Sequence, residues 1–163
     1  MIPKLLALIA ASVLALAGCA ELPKPAAAPA AAPLQPVLSL KQVMEWVIDP
    51  AADAVWDSVK TIITDKGTQE IAPQTDEQWE AVRFGAATLH ESALLLTLEG
   101  RARDRDGWTR AARGLREAAD QALEAVAAKN PQGVFDAGGR IYNACAACHR
   151  RYAPQLNADS GAR

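Results

Sequence analysis

Two thiols and an imidazole lie close together near the C-terminus, as Cys145-Ala-Ala-Cys148-His149. Two cysteines separated by two residues, with a histidine directly after the second, form the pattern of covalent c-type haem attachment. On a helix, residues three or four apart are neighbours, so all three side chains project from one face. Two thiols can then form thioethers with the two haem vinyl groups while the imidazole of His149 reaches the iron as proximal ligand. Zinc is the rival reading, but it needs four ligands, usually Cys or His. Only His90 could join the trio, and one metal does not easily use both Cys148 and its neighbour His149. A thioredoxin-like redox pair would need a βαβ context, which the sequence lacks.

The far side of the iron has two strong candidates downstream of the leader, Met44 and His90. Met44 falls on the apolar stripe of the first helix and is the expected distal ligand; the alternative is a methionine that fills a core gap. His90 sits beside the stripe of the second helix, next to Leu89, as a boundary histidine. Lys41, one turn before Met44, is placed either to contact a haem propionate or to remain solvated. Arg140, Arg150 and Arg151 make the last helix basic, for propionates, for an acidic partner, or as a solvated face.

The third cysteine has a separate use. Lys4 precedes an apolar stretch from Leu5 to Ala17, which ends in Leu16-Ala17-Gly18-Cys19. A transmembrane helix wants about 20 apolar residues, so this stretch has the size of a signal-peptide core instead. Its last four residues resemble the bacterial lipobox, which implies a signal peptide over 1–18 and a lipidated N-terminal Cys19. Each buried acyl CH₂ contributes about 0.8 kcal/mol, so several chains hold a small domain on a membrane. Ala20 leans towards the outer membrane. No cysteine is then left for a disulfide or for thiol catalysis. Up to residue 37 the chain is nearly all Ala and Pro, which blocks helix and predicts a semi-rigid spacer of up to about 50 Å.

Residues 38–156 suit one small domain, with a flexible tail over 157–163. The net charge is −2 and the basic residues are scattered, so nothing suggests nucleic acid and none is expected as a partner. Apolar spacings are helical and Val/Ile/Thr alternation is absent. Four helices are expected, joined into an antiparallel four-helix bundle, an all-α fold with haem on the C-terminal helix. The first covers about 39–65, with Leu40, Met44, Val47, Ala51, Val55, Val59 and Ile62 inward. Within it, Asp49-Pro50 predicts either a kink or a fresh helix capped by Asp49. The second covers 76–99 behind a Thr75/Gln78 capping box, with Trp79, Val82, Ala86, Leu89, Ala93 and Leu96 inward. The third covers 107–129, capped by Asp106. The fourth covers 131–152, capped by Asn130, with Phe135, Gly138, Tyr142, Cys145, His149 and Tyr152 inward. Residues 66–74 read as the longest loop. The four tryptophans, Trp46, Trp56, Trp79 and Trp108, read as core and haem-edge packing.

Haem attachment at the C-terminal end of such a bundle, followed by Arg150-Arg151-Tyr152, resembles the cytochrome c′ / cytochrome c-556 family. That family carries an aromatic three residues after the histidine, and Tyr152 matches it. The resemblance implies one covalent haem c per chain. It also implies a homodimer through the first two helices. A haem enzyme such as a peroxidase wants a distal acid–base group, which only His90 could supply and gives no sign of supplying, so no enzymatic activity is expected. In the c-556 branch a helix-one methionine ligates the iron and the protein carries electrons; Met44 matches this branch. The expected function is thus one-electron transfer through a His/Met-ligated haem, tethered to the periplasmic side of a bacterial membrane and serving redox partner proteins. The alternative is the c′ branch, five-coordinate and binding NO or CO. The chain departs from the family pattern at Ala153, where many c′ proteins carry arginine, and at Asp49-Pro50.

Overall fold

A computed structural model describes residues 36–153, which belong to a unit spanning Pro33–Arg163. The expected leader, Cys19, the Ala/Pro spacer and the tail beyond 153 lie outside the described residues. Described residues are mostly helical, with one small two-stranded sheet. No helix among them is long and apolar enough to cross a membrane.

The first helical run is made of three pieces. It opens with α1 (Leu40–Val43), passes through a π-helical turn (Met44–Ile48) and continues as α2 (Asp49–Trp56). Ser39 starts it, with a capping box closed by Gln42. Pro50 takes an early position of α2, where its missing N–H costs little. The run ends at Trp56, not near residue 65 as expected. Thr61, Ile62, Ile63 and Thr64 are β-branched, and they form β1 (Lys60–Thr64). It pairs antiparallel with β2 (Gly67–Ile71), Thr64 opposite Gly67 and Lys60 opposite Ile71. Gly67, at φ 129°, supplies the backbone freedom this tight connection needs. The expected loop is therefore mostly the second strand of a solvent-exposed hairpin.

Three long helices follow: α3 (Asp76–Leu95), α4 (Gly107–Ala127) and α5 (Pro131–Tyr152). Thr75 and Gln78 form the expected capping box on α3, and Asn130 caps α5 by accepting from the Gly133 N–H at 3.1 Å. The cap of α4 differs from expectation. The side chain of Asp106 makes no capping bond. Asp104 Oδ1 instead accepts from the N–H groups of Asp106 and Trp108, at 3.0 and 2.9 Å.

Helix α2 packs on α3, α3 on α4, α4 on α5, and α2 again on α5. The core between them is rich in alanine, with Trp79 and Trp108 as its bulkiest members and Leu89, Val126, Val134 and Ile141 among those fully buried. Small residues let the helices approach closely. A Cβ on Gly85 would lie 2.8 Å from the Ala54 Cβ and 2.9 Å from the Ala51 carbonyl oxygen. The expected α3 stripe, Trp79 to Leu96, is buried throughout. On α5 the expected stripe holds at Gly138, which is buried, and at Cys145, His149 and Tyr152, which are partly buried, but Phe135 and Tyr142 are 56% and 63% exposed, with Val134, Ala137 and Ile141 buried instead. The small face wins because it lets Trp56 approach; a Cβ on Gly138 would meet the Trp56 ring at 3.0 Å. Ile62 and Trp46 are also exposed rather than inward.

One buried cation clasps the start of the domain to the end of α3. Arg101 is 6% exposed, and its Nη1 and Nη2 donate to the carbonyls of Leu95 (3.0 Å) and Leu38 (2.7 Å). Hydrogen bonds from a charged donor are worth about 1.5–3 kcal/mol each, so Arg101→Ala is expected to cost roughly 3 kcal/mol. Urea unfolding reads this as a lower midpoint at unchanged slope. A loss below about 1 kcal/mol would show the clasp to be dispensable.

Candidate functional site

Near the C-terminal end of α5 the buried face opens into a cavity of about 460 Å³, a volume within the usual range for ligand sites. Cys145, Cys148 and His149 line it from α5, and Met44, Ile48, Ala52 and Trp56 line it from the first helical run. Leu96, Trp108, Ala112 and Leu115 complete an apolar wall. The helix brings the three motif residues together as their spacing requires, because Cys145, Cys148 and His149 all fall within one uninterrupted element. Both thiols are unpaired and half-buried. Burial pushes each above the usual thiol range, and for Cys145 the nearby Cys148 and Asp49 push in the same direction.

Two aromatics fix the frame of the cavity. Trp56 Nε1 donates to the Gly138 carbonyl at 2.9 Å, tying the first helical run to α5. Trp108 Nε1 donates to the Leu96 carbonyl at 2.6 Å, tying α4 to the end of α3. Tyr152, three residues beyond His149, meets the Trp108 ring edge-on, with centroids 5.0 Å apart at 73°. Its hydroxyl donates to Asp104 Oδ2 at 2.6 Å, and Arg151 stands 3.4 Å from the same oxygen. The last turn of α5 is thus locked onto the loop before α4.

That lock is acid-sensitive. The Tyr152 hydroxyl, and then the Trp108 N–H, hold the Asp104 carboxyl down at about 2, well below its ordinary 3.8. A depressed carboxyl contributes stability above its unfolded pKa and loses it as pH falls through the folded value. The contribution of Asp104 is therefore full above about pH 4 and is lost between there and pH 2. Asp104→Asn removes this dependence. Acid unfolding curves of the two proteins are expected to converge as pH falls towards 2; a constant gap would remove Asp104 as the titrating group.

Other expected residues lie elsewhere. Lys41 is exposed, pairs with Glu45 at 3.3 Å and does not line the cavity. His90 lies between α3 and α4, where its Nε2 accepts from Arg116 (2.9 Å) and its Nδ1 faces Glu91 (3.1 Å). It does not line the cavity either. Trp56 and Trp108 do, while Trp79 is core. Glu45 and Asp49 line the cavity without having been expected there. The sequence signal was available, since Glu45 and Asp49 are four apart and adjoin Met44 and Ile48. Among the described residues no group of three or more His, Cys, Asp or Glu is placed to hold a metal ion.

The cavity thus brings two thiols and an imidazole from one helix together with a thioether from another element, in a mostly apolar lining that also carries Glu45 and Asp49; these are residues that could hold a haem covalently. Comparison with family models, curated proteins and solved structures finds no match to this chain.

Proposed function

We propose that this chain is a membrane-tethered c-type cytochrome that transfers single electrons. The observation that carries the reading is the cavity in which Met44 joins Cys145, Cys148 and His149. In this reading the helices form an antiparallel four-helix bundle, a fold that builds cofactor sites from facing helices. Cys145 and Cys148 would hold haem c by thioethers, and His149 and Met44 would be the residues that ligate its iron. A haem so ligated supplies a one-electron couple whose potential methionine raises. The protein's own residues do the rest. Trp56, Trp108 and Leu115 exclude water, and the Trp56 and Trp108 hydrogen bonds fix the walls to one another. Lipid on Cys19 and the Ala/Pro spacer keep the domain near membrane-bound or periplasmic redox partners.

The test is the optical and EPR spectrum of the haem-loaded protein. Low-spin iron in both oxidation states, with a thioether–iron charge-transfer band in the ferric form, is expected. A high-spin spectrum with direct CO uptake would instead support a five-coordinate protein that binds NO or CO.

A further inference from the structure

The irregular turn in the first helical run lies where that run meets the cavity. Upstream, the Met44 N–H reaches back four residues to the Leu40 carbonyl, as in an α-helix, and shares its proton with the Lys41 carbonyl three back. At Asp49 the N–H reaches back five, to the Met44 carbonyl. One surplus residue is thus held between Met44 and Asp49. Pro50 follows, with no N–H to give and a ring that would crowd the Trp46 carbonyl four residues before it in a regular helix.

The surplus decides what faces inward. Val43 and Ile48 are five apart, yet they are 0% and 4% exposed. A regular α-helix turns about 100° per residue and would set them about 140° apart. Met44, Ile48, Ala52 and Trp56 are four apart in succession, and all line the cavity. In a regular helix each such step drifts about 40°, which would leave Met44 about 120° round from Trp56. A π turn holds more residues than an α turn, so the first step turns back instead of forward. Trp46, 60% exposed on the outer side of the turn, is the residue the bulge carries outward. Single π turns of this kind concentrate at functional sites.

We infer that the π turn at Met44–Ile48 is the positioning device that aims Met44 into the cavity, with Trp46 as its surplus residue and Pro50 as the residue that favours the break. The inference rests on the reading of Met44 as a ligand and makes an unusual demand. Deleting a residue from a regular helix swings everything upstream by about 100°. Here, deleting Trp46 with Pro50→Ala gives a regular helix that keeps Val43, Met44 and Ile48 inward. Inserting one alanine between Trp46 and Val47 does the opposite.

The experiment compares both variants with the parent and with Met44→Ala, as haem-loaded full-length proteins. Ferric spectra and thermal unfolding midpoints are recorded for each. The deletion variant is expected to stay low-spin, with the parent's charge-transfer band and a midpoint within a few degrees. The insertion variant is expected to become high-spin with its haem still attached, and to unfold well below the parent. A deletion variant that turns high-spin or does not fold overturns the inference, as does an insertion variant indistinguishable from the parent. If the parent itself is high-spin, or Met44→Ala changes nothing, the ligand reading fails. The positioning of the helix face is then decided by the midpoints alone: the same ranking upholds it, and the reverse ranking ends it.

Discussion

Met44→Ala is expected to turn the iron from low-spin to high-spin and to lower its reduction potential, with the haem still attached. Met44 is the one methionine among the described residues, and it lines the cavity that holds His149. The other cavity residues that could approach an iron are the carboxylates Glu45 and Asp49 of the same helical run, and Tyr142, which is largely exposed. None replaces a thioether's preference for ferrous iron. Axial ligands command a range of roughly 0.8 V, and losing the thioether is expected to lower the potential by on the order of 100 mV. Redox titration and EPR of the two proteins, side by side, decide it. The fold should survive, because Met44 is only partly buried and its loss opens the site to solvent rather than to a sealed void. An unchanged spin state and potential would remove Met44 from the iron.

Trp108→Ala is expected to destabilise the domain by about 3–5 kcal/mol. Trp108 is buried and does three things together. It lines the cavity, donates to the Leu96 carbonyl and receives the edge-on contact of Tyr152. Truncation enlarges the cavity, leaves a carbonyl without its donor and frees the last turn of α5, which carries His149. Trp108→Phe keeps most of the ring but not the donor, and should cost about 1–3 kcal/mol. Urea unfolding of the three proteins gives both values. If Trp108→Phe and Trp108→Ala cost the same, the hydrogen bond rather than the volume supports the site.

Local signals made much of this readable. The Thr75/Gln78 box and Asn130-Pro131 start their helices as their chemistry demands, because a cap needs only residues a few positions away. The α3 stripe was legible for the same reason. The hairpin was not, since Lys60–Thr64 continues an apolar spacing that also suits a helix, and the β-branched run lay hidden within it. The stripe on α5 was right at Gly138 and wrong at its two large aromatics. These look like core residues, yet Phe135 and Tyr142 yield to Val134 and Ile141, because Trp56 comes close enough to Gly138 to need a residue without a Cβ. Asp104 rather than Asp106 caps α4 for a similar reason: Tyr152, 48 residues away, holds its other oxygen.

By itself the sequence determined the helical character, the long helices and the common face of Cys145, Cys148 and His149, because these depend on neighbours within a turn or so. It also named Met44 as the one methionine able to answer them. The tertiary structure alone decided that Met44 reaches their cavity. That outcome depends on a surplus residue absorbed beside Pro50, and on the burial of Val43 and Ile48, five positions apart, which selects the π turn over a regular helix. Helical spacing is a local property; which face wins is settled by what packs against it.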